Sequence, residues 1–176
     1  MKKFELTSEF VTFLEKKLFR IKALVSFGDV KEGGLGGLVE KEENLDQSGN
    51  AWVYGNARVS GDARVSGDAQ VYGNARVSGD AQVSGNAWVS GDAWVSGDAW
   101  VQNCRDYSAT SCFGSENRTT TFFRTKDGGI SVRCGCFYGT LNEFREKVKE
   151  RHGDSRLAKE YLMLADLMEF RLSKDE

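Results

Sequence analysis

The sequence predicts a mainly β chain: a short parallel β-solenoid held between an N-terminal β cap and a C-terminal α+β region. Three observations carry that prediction. Residues 49–102 repeat one six-residue phrase nine times without interruption, from GNAWVY to GDAWVQ. Along the run, each valine is followed four positions later by an alanine, with Gly-Asp or Gly-Asn between them. After Gln102 the phrase stops, and turn signals and helical spacing replace it. A fixed short period is the signature of units that bury their faces only by stacking on one another.

Residues 1–48 form the cap and the lead-in to the repeats. LFRIKALVSF alternates as a strand does, with Phe19, Ile21, Ala23 and Val25 on one side, although FVTFLEKKLFRI also has helical spacing. A hairpin is the favoured reading, because an open first coil presents unpaired strand edges that need a cover. The glycines of GGLGGL precede a solenoid instead of opening a helix, so they are read as turn residues, not as a phosphate-binding loop.

Residues 49–102 dictate their own geometry. Val53, Val59, Val65 and their successors fill the interior, and Ala57, Ala63 and Ala69 fit where walls converge. Gly55, Gly61 and the Asn or Asp after each glycine supply the backbone freedom and local hydrogen bonds of a corner. Three walls then close a triangle of eighteen residues, and the nine phrases make three coils. At a strand spacing of about 4.8 Å the coils rise only about 14 Å, so both ends need caps. Tyr54 and Tyr72, eighteen apart in the same slot, are expected to stack.

Residues 103–176 change class. The stretches 119–124 and 130–134 read as strands joined by a Lys-Asp-Gly-Gly turn, a hairpin over 119–134. Helices are expected over 141–152 and 155–172. Thr140 with Glu143 forms a capping box for the first, which carries Leu141, Phe144 and Val148 on one face and stops at Gly153. Asp154 is the expected cap of the second, where Leu157, Tyr161, Leu164 and Met168 form a stripe widened by Leu162, Leu167 and Phe170. So broad an apolar arc suits packing inside the chain, or a subunit interface through Tyr161, Leu164, Met168 and Phe170.

The phrases resemble the left-handed parallel β-helix, in which an aliphatic residue is followed by a small one four later. Parallel crossovers are otherwise right-handed, so the left hand is what the resemblance implies. RIKALVSFGDVKEGGLGGLVEKEENL, running into GNAWV, and the C-terminal TTTFFRTKDGGISVRCGCFYGTLNEF and KERHGDSRLAKEYL are similar to small phage and prophage proteins with YdcK-type β-solenoid repeats. The lead-in of that group is closer to GDLGGW, whereas Gly34, Leu35 and Leu38 stand here in GGLGGL, without the indole. The resemblance implies no particular activity.

Composition narrows the function. The net charge is -2, and basic and acidic side chains are nearly balanced before, within and after the repeats, so no segment is a nucleic-acid footprint. No apolar run approaches a membrane span, and MKKFELTSEFVTF is not a signal peptide, so a cytoplasmic protein with no membrane contact is expected. Cys104 and Cys112 lie eight apart and Cys134 and Cys136 two apart, neither of which is the spacing of a zinc ribbon or finger. Reduced thiols are expected, with no metal and no cofactor. Hexapeptide-type transferases and carbonic anhydrases of this architecture need histidines, and this chain has one, His152, at a helix end outside the repeats. No catalytic residue is assigned.

What varies between phrases is the outward slot before each valine. Its columns should be Trp52, Gln70, Trp88 on one wall, Arg58, Arg76, Trp94 on the second and Arg64, Gln82, Trp100 on the third. The last coil thus carries an indole on every wall, and Trp88, Trp94, Trp100, Trp52, Arg58, Arg76 and Arg64 are the candidate partner-binding residues. A corner column of Asp62, Asp80 and Asp98 is expected to be tolerated or to hold a cation. The resemblance to phage and prophage proteins implies, by analogy, a non-catalytic phage protein in the cytoplasm of a bacterial host. It is expected to bind a host protein, as an anti-CRISPR or other anti-defence inhibitor, and to form a dimer or trimer. Alternatives are an oligomer that sequesters a signalling nucleotide between arginine and tryptophan, a virion or assembly component, and a hexapeptide-type transferase.

Overall fold

A computed structural model describes residues 1–173. The chain opens with β1 (Phe4–Phe13) and β2 (Lys16–Ala23), an antiparallel hairpin. β3 (Leu35–Val39) pairs antiparallel with β2 on one side and parallel with the repeats on the other. Nine two-residue strands follow at intervals of six: β4 (Trp52–Val53), β5 (Arg58–Val59), β6 (Arg64–Val65), β7 (Gln70–Val71), β8 (Arg76–Val77), β9 (Gln82–Val83), β10 (Trp88–Val89), β11 (Trp94–Val95) and β12 (Trp100–Val101). They form three parallel walls, β4-β7-β10, β5-β8-β11 and β6-β9-β12, each in a register of eighteen residues.

The interior holds the two residue types the spacing dictates. Every valine and every alanine of the repeats is fully buried. The backbone groups are consumed by the next coil, as where Arg58 N–H donates to Ala75 O and Ser60 N–H to Val77 O at 2.9 and 3.0 Å. At the corners the glycines take positive φ and stack without side chains. A Cβ on Gly79 (φ +68) would lie 2.8 Å from the Gly97 nitrogen. Tyr54 and Tyr72 stack as expected, with centroids 4.7 Å apart and planes 12° from parallel.

The solenoid does not begin at residue 49. β3 pairs with β5 and Leu45 bridges to Val65, so the lead-in lays a partial coil beneath the nine phrases. This corrects the count of three coils and the reading of GGLGGL as turn residues alone. Gly36 and Gly37 lie within β3, where Cβ atoms would fall 2.7 Å from the Trp52 ring and 2.5 Å from Val53 Cγ1. Their missing side chains let the strand lie flat on the first full coil. β1, β2 and β3 extend the second wall into a six-stranded sheet, so the hairpin both occurs and covers the strand edge. Phe4 and Phe27 close the end by edge-on contacts with Trp52, at 6.2 and 5.3 Å between centroids. Lys3 Nζ donates to the carbonyls of Ser48, Gly49 and Ala51. Its burial, offset only in part by Asp46, brings its pKa down to about 8.

The C-terminal region is a four-stranded antiparallel meander with two helices on one face. β13 (Tyr107–Phe113), β14 (Arg118–Arg124), β15 (Ile130–Cys134) and β16 (Phe137–Thr140) are paired in chain order, followed by α1 (Leu141–His152) and α2 (Arg156–Leu172). The hairpin and both helices match expectation, as do the Thr140/Glu143 capping box and the stop at Gly153. Two strands, β13 and β16, are additions, and Ser155 rather than Asp154 caps α2, accepting from the Ala158 N–H. β14 alternates its two faces. Phe122 packs with Phe144, Tyr161 and Met168 under the helices, and Phe123 joins the solenoid interior.

One contact set locks this region to the last coil. The Asp106 carboxylate accepts the N–H groups of Gln102 and Asn103 at 2.9 and 3.0 Å and pairs with Arg124 at 3.3 Å. Arg124 Nε in turn donates to Leu172 O at 2.7 Å, tying the end of α2 to the same point. The Trp94 N–H donates to Thr121 Oγ1, and Ala99 bridges to Thr125. No helix among the described residues is long and apolar enough to cross a membrane.

Candidate functional site

The outward slots stand in the columns their spacing requires, yet the caps treat them unequally. Trp52 is 1% exposed beneath Phe4 and Phe27, which removes it from the partner-binding set. On the second wall Arg58 and Arg76 lie over the Phe13 ring at 4.6 and 4.8 Å. Arg76 also lies 5.2 Å from the centroid of Trp94, and Arg133 from β15 covers that indole at 3.8 Å. Trp94 Nε1 donates to Ser78 Oγ at 3.1 Å, so this indole is held and half-buried. The third wall keeps Arg64 and Trp100 exposed. The belt of three indoles therefore reduces to two free ones, Trp88 at 55% exposure and Trp100 at 41%.

On the first wall the aromatic side chains form a ladder. Tyr54 stacks on Tyr72, and Tyr72 meets Trp88 edge-on with centroids 6.1 Å apart. Partial burial raises the pKa of both tyrosines above the ordinary phenol value. Beside Trp88 an open cleft runs between the last coil and β13, lined by Tyr107, Cys104 and Arg171. The sequence does not single out Tyr107 or Arg171, since nothing in their local sequence places them next to the repeats.

Three of the four residues expected at a subunit interface are spent inside the chain. Tyr161, Leu164 and Met168 are buried at 6%, 9% and 5% exposure, because α2 covers a sheet two strands wider than the sequence suggested. Phe170 is 85% exposed and shares the outer face of α2 with Met163 and Leu167. Among the described residues of α2, this opposite face is the one left exposed.

A family model described as the YdcK β-solenoid repeat matches residues 51–67, 69–85 and 81–97. Over those residues the coils match YdcK β-solenoid repeats. No curated protein matches the chain. The YdcK match ends before Trp100 and includes neither cap, so Phe4, Phe27 and Arg133, which cover Trp52 and Trp94, all lie outside it.

Two further groups stand apart from the outward slots. The corner column of Asp62, Asp80 and Asp98 is partnered at both ends: Lys41 Nζ sits 2.7 Å from Asp62, and the Tyr138 hydroxyl donates to Asp98 at 3.2 Å. Elsewhere corner asparagines relieve the charge, Asn50 donating to Asp68 and Asn74 to Asp92. In the C-terminal region the His152 ring stacks on Tyr161 at 5.6 Å, at the rim of a cleft shared with Cys134, Cys136, Lys147 and Arg151. The four cysteines are free thiols, and Cys134 Sγ accepts from the Thr120 hydroxyl.

Proposed function

We propose that this is a non-catalytic binding protein, phage-encoded and acting in the cytoplasm of a bacterial host, which inhibits a host defence system by contact with one of its proteins. The observation that carries the reading is the exposure of Trp88 and Trp100 on a scaffold whose interior is closed. An indole displayed on rigid backbone loses little freedom on binding and contributes a large apolar area, which is why tryptophan dominates interface energetics. The Tyr54-Tyr72-Trp88 ladder gives the first wall a continuous aromatic strip for such a partner.

The test is expression in bacteria carrying defined defence systems, with phage plating efficiency as readout. Relief of one system is expected, together with capture of one of its proteins. Trp88→Ala combined with Trp100→Ala should weaken that capture by about thirtyfold or more, the scale of a single hot-spot loss, while circular dichroism stays unchanged. Plating unchanged across all systems, or capture that survives the double substitution, would sink the proposal.

A further inference from the structure

Where the second wall meets the C-terminal sheet, an open cleft of about 330 Å³ is lined by Asn74, Arg76, Asp92, Trp94, Arg118 and Arg133, among others. Three guanidiniums converge there from separate parts of the chain, Arg76 from the middle coil, Arg118 from β14 and Arg133 from β15. Among the described residues, the side chains of Arg76 and Arg133 have no hydrogen bond or ion pair from any protein group, and that of Arg118 reaches only Glu116, at 3.9 Å. Arg133 Nε is shut off from solvent without an acceptor. The one carboxylate in the cleft, Asp92, already accepts from Asn74 at 3.1 Å.

Guanidiniums normally find carboxylates when they are drawn out of water. Here they are oriented by aromatic rings instead: Arg76 between Phe13 and Trp94, and Arg133 over Trp94. Stacking fixes the plane of each fork and leaves its edge donors to a ligand, so little side-chain freedom remains to be lost on binding. Burial lowers the Arg133 pKa, with Arg76 repelling it and only Cys136 and Tyr138 opposing. The guanidinium is thus partly desolvated, and among the described residues no carboxylate lies within ion-pair distance of it.

We propose that this cleft binds a phosphate-bearing small molecule, with the phosphate oxygens bridged by Arg76, Arg118 and Arg133. Three forks offer more donors than the two oxygens of a carboxylate can take, whereas a phosphate presents three oxygens or more. Arg76 and Arg133 both lie over the Trp94 ring, where a stacked base would compete with them, so the ligand is held through its phosphate. That geometry alters the expected nucleotide site, in which tryptophan was to stack the base. The proposal is independent of the partner surface on the first and third walls.

The experiment is a titration of the full chain with inorganic phosphate, pyrophosphate and AMP. The signals followed are the Trp94 indole N–H, identified by its loss in Trp94→Phe, and the Arg Nε–H groups. A saturable shift is expected that is not reproduced by sodium chloride at matched ionic strength. Affinity should fall about tenfold or more in Arg133→Gln and in the exposed-site variant Arg118→Gln, as for loss of a charge-assisted hydrogen bond. Arg156→Gln on α2, a side chain 92% exposed and paired with Glu160, should leave it unchanged. Tighter binding of AMP than of phosphate would assign the ligand as a nucleotide, and equal binding as a free phosphate; both uphold the site. No saturable shift, an equal response to chloride, or undiminished affinity in Arg118→Gln would overturn it.

Discussion

Replacing Asp106 with alanine removes one of the contacts that join the solenoid to the region after it. The carboxylate accepts two backbone N–H groups from the end of the last coil and pairs with Arg124, itself bonded to the carbonyl that ends α2. Asp106 is 4% exposed, so the alanine variant leaves two donors and a guanidinium facing a void. A hydrogen bond to a charged group contributes about 1.5 to 3 kcal/mol, and stranding one partner of a buried pair costs about 3 to 5 kcal/mol. These losses overlap, because Arg124 keeps its bonds to Leu172 and Ser173, and a loss of about 3 kcal/mol is expected. Asp106→Asn retains one acceptor and loses the charge, so it should cost about half as much. Urea unfolding monitored by circular dichroism measures both. A loss below about 1 kcal/mol for alanine, or identical losses for the two variants, would refute the assignment of the clamp to the charged carboxylate.

Gly79→Ala should cost about 2 kcal/mol or more, since it combines a left-handed backbone with a Cβ 2.8 Å from the Gly97 nitrogen. Gly55→Ala, with φ +57 but open space around the Cβ, should cost only about 1 kcal/mol; thermal unfolding in the reverse order would contradict the stacked-corner account. For Lys3, the folded pKa of about 8 lies below the ordinary 10.5, so the unfolded chain holds the extra proton between those values. Stability from this group therefore rises with pH through that window and is flat below it. Denaturation midpoints taken across pH 8 to 10 should climb in the natural protein and climb less in Lys3→Met, and equal slopes would remove Lys3 as the cause. Thr140→Ala should cost about 1 kcal/mol through loss of the cap on α1, read from the unfolding midpoint.

Some parts of the molecule were legible because their partners are near copies of themselves. Val59 needs only Val77 above it and Tyr54 only Tyr72, both eighteen residues on, so the period sets register, walls and ladder together. The capping box at Thr140 is likewise local. The turn between β1 and β2 was not legible, because Leu14 and Glu15 adopt φ of +48 and +64 without the Asn-Gly that usually marks such a turn. β13, YSATSCF, alternates no large apolar residues, and β16 is four residues long. Both are strands because β14 and β15 offer them edges.

The candidate site divides along the same line. By itself the sequence determined which residues face outward and how they align in columns, since a side chain's facing follows from strand periodicity and stacking alone. Which outward residues remain free was decided by tertiary structure: Phe27 buries Trp52, Arg133 covers Trp94, and neither lies within the repeats. Tyr161, Leu164 and Met168 passed from candidate interface to core for the same reason. Periodicity encodes direction, but exposure depends on contacts between distant segments, and those contacts leave no mark on the residues they cover.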